Sequence, residues 1–77
     1  MIKKSIKFSS VNEIKQFVNL TMTQPFDIDL MSDRYVVDAK SILAVFGLDL
    51  DSDVTIAIHA DEAEATDFLG QISKYLA

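Results

Sequence analysis

Two serines and one histidine are the residues of this chain whose setting invites chemistry. Ser41 follows an apolar extended stretch, Val36-Val37, and precedes Ile42-Leu43-Ala44-Val45-Phe46, with Gly47 as the stop. A serine in that place is a helix N-cap, its hydroxyl accepting a hydrogen bond from an orphan first-turn amide. The same amides and the helix dipole favour negative charge, so Ser41 is also a residue whose phosphate a helix would hold. The pattern alone leaves both readings open. Ser10 opens Ser10-Val11-Asn12-Glu13, the form of a capping box in which Ser and Glu satisfy backbone amides reciprocally. His59 is the only histidine, so any imidazole chemistry has to use it. It falls on the polar phase of an alternating segment, where the ordinary role is a solvent-facing strand side chain with no specific task.

The acidic residues make a weaker case. Asp49-Leu50-Asp51-Ser52-Asp53 resembles the opening of a calcium loop, but Val54 stands where the sixth-position Gly belongs and Ala60 where the twelfth-position Glu belongs. It reads as a charged loop, and no metal site is expected. Glu62, Glu64 and Asp67 read as a solvated helix face. With no cysteine there is no disulfide framework, thiolate site or sulfur nucleophile. One strand histidine and no evident cleft leave few parts for nucleophilic or acid–base work, so neither an enzyme nor a cofactor is expected.

The elements that must position these residues follow from periodicity. Ile2, Ile6 and Phe8 alternate with polar residues as a half-buried strand does. Val11, Ile14, Phe17, Val18, Thr21 and Met22 have helical spacing, ended by Pro25. Phe26, Ile28 and Leu30 alternate with Asp27 and Asp29, and Ser32-Asp33-Arg34 turns the chain into a return strand, Tyr35 to Asp38. A short helix follows Ser41. Val54, Ile56 and Ile58 face one way, and Thr55, Ala57 and His59 the other. Asp61-Glu62-Ala63-Glu64 starts a last helix, whose stripe is Ala65, Phe68, Leu69, Ile72, Tyr75 and Leu76. The order β-α-β-β-α-β-α, with one apolar face per strand, predicts an α+β two-layer open-faced sandwich: a four-stranded antiparallel sheet with helices on one face. A ferredoxin-like unit with an added helix is the rival, disfavoured because the middle helix is too short for its crossover.

Length and composition fit one domain over residues 1–77. A chain this small buries only about 60–65% of its unfolded surface, yet 49% of its residues are apolar and five are Phe. No apolar run approaches the roughly 20 residues of a membrane span, and the N-terminus lacks a signal-peptide core, so the expected address is the cytoplasm. Net charge is −5 and the seven basic residues are scattered, which argues against direct nucleic-acid binding.

From about Asp27 onward the text is similar, without a gap, to HPr, the small phosphocarrier family of the bacterial sugar phosphotransferase system. Asp27-Ile28-Asp29-Leu30, Val37, Ala39-Lys40-Ser41-Ile42-Leu43, Val45, Leu48 and Val54-Thr55-Ile56 carry the resemblance. It implies the HPr-like sandwich and a phosphorylatable regulatory serine at Ser41, with Lys40 beside it. It also implies an exposed apolar patch at Leu43 and Phe46 for partner proteins, which Phe17 could extend. On the residues alone, either Ile42 and Val45 or Leu43 and Phe46 enter the core.

The front of the chain departs from the family. HPr proteins open their first helix with Gly-Leu/Ile-His-Ala-Arg-Pro-Ala, whose histidine takes phosphate from enzyme I. Here, by register, Ser10 falls near that histidine, Asn12 near the arginine and Glu13 near the proline. A serine ester is far less labile than a phosphoramidate, and Glu13 would repel an incoming phosphoryl group. The resemblance therefore implies a regulatory, protein-binding member without histidine relay. Its partners would be phosphotransferase-system proteins or a transcriptional regulator, as for a histidine-lacking paralogue in some Gram-positive bacteria. The alternatives are a phosphocarrier working through Ser10 or His59, and a structural or toxin-like module unrelated to sugar transport.

Overall fold

A computed structural model describes residues 1–51 and 53–77. The elements are β1 (Ile2–Ile6), α1 (Val11–Met22), β2 (Ile28–Ser32), β3 (Tyr35–Asp38), α2 (Ile42–Phe46), β4 (Val54–Ile58) and α3 (Glu62–Gln71), followed by a 3-10 turn, Ser73–Tyr75. The sheet order is β1-β4-β2-β3, with antiparallel pairing throughout. Ile2, Ile6, Ile28, Leu30, Val54, Ile56 and Ile58 bury one face of the sheet beneath Phe17, Val18, Val45, Phe68 and Ile72 of the helical layer. This is the two-layer α+β sandwich that the alternation predicts. The helix between the hairpin and β4 has only five residues, which excludes a full ferredoxin-like second crossover helix.

The hairpin turns tightly. Ser32 pairs with Tyr35 across Asp33-Arg34, and Asp33 takes φ 53°, a left-handed value that Asp tolerates better than most residues. The core has an aromatic corner where Phe8, Phe17 and Tyr75 meet with ring centroids 5.1–5.8 Å apart. Such edge-to-face pairs add stabilisation beyond their buried area. Tyr75 is 1% exposed.

Three expectations are corrected. The apolar stripe of α1 is narrower than its spacing suggests: Ile14, Phe17, Val18 and Thr21 are buried, whereas Val11 and Met22, at the helix ends, are exposed. β2 starts at Ile28 and not at Phe26, which packs its ring against Phe68 at 6.0 Å instead. The last helix stops at Gln71 although its stripe continues through Leu76. The cause is the edge of β1. Lys7 N donates to Tyr75 O at 2.8 Å, Ala77 N donates to Ser5 O at 3.0 Å, and Leu76 bridges Ile6, so these backbone groups are drawn into the sheet. Among the described residues no helix is long and apolar enough to cross a membrane.

Thr21 is one of the buried polar residues. Its hydroxyl lies 2.7 Å from Val18 O and 3.0 Å from Ala39 O, and so ties α1 to the segment after β3. Thr21→Val keeps the shape and removes the donor, with an expected cost of about 1–3 kcal/mol. Urea titration reads this directly, and the Tm falls about 4–8 °C for each kcal/mol. Met22→Ala, at an exposed position, stays within about 0.5 kcal/mol of the parent.

Candidate functional site

The three helix starts are capped alike but differ in charge. Ser10 Oγ accepts from Glu13 N at 3.2 Å, and Glu13 Oε1 accepts from Ser9 N at 2.7 Å. The predicted reciprocal box is thus displaced by one residue, because the carboxylate reaches the amide before the cap. Asp61 and Glu64 form the complete box, with Glu64 N to Asp61 Oδ1 at 2.8 Å and Asp61 N to Glu64 Oε1 at 3.3 Å. Ser41 caps α2 with a longer bond, Ala44 N to Ser41 Oγ at 3.4 Å, and the first turn of α2 holds no acidic residue. α2 is therefore the helix start at which a negative charge meets no resident carboxylate from its own first turn.

The segment that delivers Ser41 is firmly held. Asp38 Oδ1 accepts from Lys40 N at 2.9 Å, and Asp38 O accepts from Ser41 N at 3.1 Å. Lys40 Nζ donates to Gln24 O at 2.8 Å, which places its ammonium at the C-terminal end of α1 and not over Ser41. Ser41 is half-buried. Beyond it the faces of α2 separate: Val45 is buried and Ile42 half-buried, while Leu43 is 84% and Phe46 41% exposed. Gly47 closes the helix with an ordinary right-handed backbone, and a Cβ there would lie 3.3 Å from Ala44 O, a tight contact.

Phe17 does not extend the exposed patch. It is 0% exposed inside the aromatic corner, as its place in the α1 stripe dictates. A cleft of about 300 Å³ borders α2 instead, lined by Lys15, Val18, Asn19, Met22, Lys40 and Ile42. The one signal for it in the sequence was Met22, an apolar residue at the margin of the helical stripe.

His59 lies elsewhere. It follows Ile58, which pairs with Ile2, whereas α1 begins beyond Ile6, which pairs with Val54. These sheet ends are about 13 Å apart, four strand steps of roughly 3.3 Å. His59 Nε2 lies 2.8 Å from Asp29 Oδ2, so it is not the unengaged strand residue that its position suggested. The acidic loop contributes Asp51 N to Asp49 Oδ1 at 3.1 Å and Ser32 Oγ to Asp49 O at 3.0 Å; Ser52 lies outside the described residues. Among the described residues no group of three His, Cys, Asp or Glu could hold a metal ion.

A family model described as the PTS HPr component phosphorylation site matches residues 11–77. Among solved structures, the chain is similar to the crystal structure of HPr-C-His from Thermoanaerobacter tengcongensis, with a TM-score of 0.75 and 18% sequence identity over 96% of this chain and 93% of that one. At that identity the likeness carries the fold. No curated protein matches the sequence.

The bond lengths rank the caps. Asp61→Ala, which breaks a two-way box, is expected to cost about 1 kcal/mol or more, and Ser41→Ala about 0.5 kcal/mol. Thermal denaturation of the two variants side by side checks the order.

Proposed function

The chain belongs to the HPr family, and from that premise we propose a regulatory, protein-binding member that does not relay phosphate through histidine and is switched at Ser41. The observation that carries this reading is Glu13 Oε1 on Ser9 N at 2.7 Å. A phosphoryl group arriving at the start of α1 needs unoccupied amides and positive potential. Here a side-chain carboxylate already takes an amide beside Ser10, and its charge repels a second anion. Ser10 Oγ is itself engaged as the cap. His59, the only histidine, is bonded to Asp29 at the other end of the sheet.

At Ser41 the amide before the cap is likewise taken by a carboxylate, Asp38, and the difference lies in the helix itself. The Ser41 hydroxyl is weakly committed, and the first turn of α2 carries no acid. A phosphate there accepts charge-assisted bonds from first-turn amides. Lys40 joins it only by exchanging the Gln24 carbonyl for the phosphate. Leu43 and Phe46, exposed on the same helix, form the contact that a phosphotransferase-system protein or a transcriptional regulator covers. Phosphorylation at Ser41 adds about two negative charges beside that patch and so changes which partner it fits.

Incubation with ATP and an HPr kinase is expected to add one phosphoryl group, lost in Ser41→Ala, while enzyme I with phosphoenolpyruvate adds none; intact-mass measurement reads both. Acid-labile phosphate gained from enzyme I overturns the proposal. Leu43→Asp and Phe46→Asp are each expected to raise the KM of the kinase about tenfold, or about 1.4 kcal/mol. Leu43→Asp leaves folding stability within about 0.5 kcal/mol, as for exposed positions generally, whereas Phe46→Asp costs more because part of the ring is covered.

A further inference from the structure

The two margins of the sheet are finished differently. At the Ser5–Lys7 end of β1, residues 75–77 occupy the outer edge, through Lys7 N to Tyr75 O, Ala77 N to Ser5 O and the Ile6–Leu76 bridge. Lys3 and Lys4 lie on the same strand and Lys7 just after it, and edge lysines discourage a foreign strand. β3 is the opposite margin and carries neither lysine nor proline. Tyr35 and Val36 on it are 66% and 60% exposed.

The direction of the β3 backbone follows from its pairing. A two-residue turn closes on the pair Ser32–Tyr35, and Ala39 N donates to Ile28 O at 2.9 Å, so Tyr35, Val37 and Ala39 turn their amides toward β2. The backbone N–H and C=O of Val36 and the N–H of Asp38 therefore point outward. The Val36 and Asp38 side chains share the face of Met31 and Asp29, away from the helices.

We infer that this edge is a homotypic contact, in which β3 of a second copy pairs antiparallel with it about a two-fold axis at Val36. Charge and shape select the second copy and the register. Centred on Val36, the pairing brings Arg34, the turn residue just before β3, to the Asp38 end of the second copy's strand, and Asp38 to its Arg34. Val36 meets Val36, exchanging both outward backbone hydrogen bonds, and each Tyr35 meets a Val37, an aromatic and β-branched pair of the kind that stabilises sheets. A shift of two residues puts Asp38 against Val36 and leaves Arg34 without an acid. A parallel arrangement brings Arg34 beside Arg34. The contact is isologous, as a two-fold dimer requires. A four-residue strand gives a small interface, so the dissociation constant is expected on the order of 0.1–1 mM.

Sedimentation velocity and an NMR dilution series on the whole chain, up to about 2 mM in low salt, test this. Wild type is expected to dimerise with concentration-dependent protection of the Val36 amide. R34E and D38K each place like charges opposite one another and are expected to weaken association about tenfold. An equimolar mixture of the two restores both pairs and returns association to the wild-type level. Because each variant is compared with its own mixture, a loss of fold in either one is seen by circular dichroism and cannot imitate the recovery. A wild type that stays monomeric at the highest concentration overturns the inference, as does a mixture no more associated than its components when both are folded.

Discussion

One hydroxyl and one ammonium decide where the second helix begins. Thr21, buried on α1, reaches Ala39 O, and Lys40 Nζ reaches Gln24 O just past the end of the same helix. Together they pin the link between β3 and α2 to α1. Both acceptors are backbone carbonyls that need partners wherever water is excluded. Helix α2 is far too short to be stable by itself. Its position, and with it the orientation of Ser41, Leu43 and Phe46, is therefore borrowed from the longer helix beside it.

That dependence explains how so small a helix divides its faces cleanly. Val45 enters the core because the link sets the first turn, and Leu43 and Phe46 then point outward, since a helix places residues two apart on different faces. The resulting surface is apolar and next to a serine, in a protein with a net charge of −5. The acids are not evenly placed at the helix starts. α1 and α3 hold them in their first turns and α2 does not. The electrostatic contrast between the helix starts is written in side chains, since the backbone dipoles favour anions at all three.

Most of the architecture was legible in the sequence because strand alternation and helical spacing report burial directly. Ile28 and Leu30 against Asp29, and Ile14, Phe17 and Val18 at helical intervals, left little freedom in the layers. What was not legible depends on long-range backbone bonding. Nothing in Ile72–Leu76 signals that the chain leaves the helix, because the competing donors and acceptors lie on β1, some 70 residues away. The same limit applied at the site. Asp61 and Glu64 behave as their text suggests, whereas Glu13, with the same spacing from Ser10, chooses the amide of Ser9. The His59–Asp29 pair joins residues 30 apart and becomes visible only once β2 and β4 are adjacent. Phe17 shows the reverse: the periodicity placed it in the core, and there it lies.

The tail lying along β1 has a consequence for what the molecule can build. Linear growth of a sheet through many molecules demands two open margins, one to give and one to receive. Here one margin is partly covered by the protein's own backbone, at Ser5 to Lys7, with aromatic packing of Tyr75 behind it. Strand-by-strand addition at that margin is hindered over Ser5 to Lys7 by the same residues that end the last helix early, and beside them Lys3 and Lys4 place charge on the remaining edge.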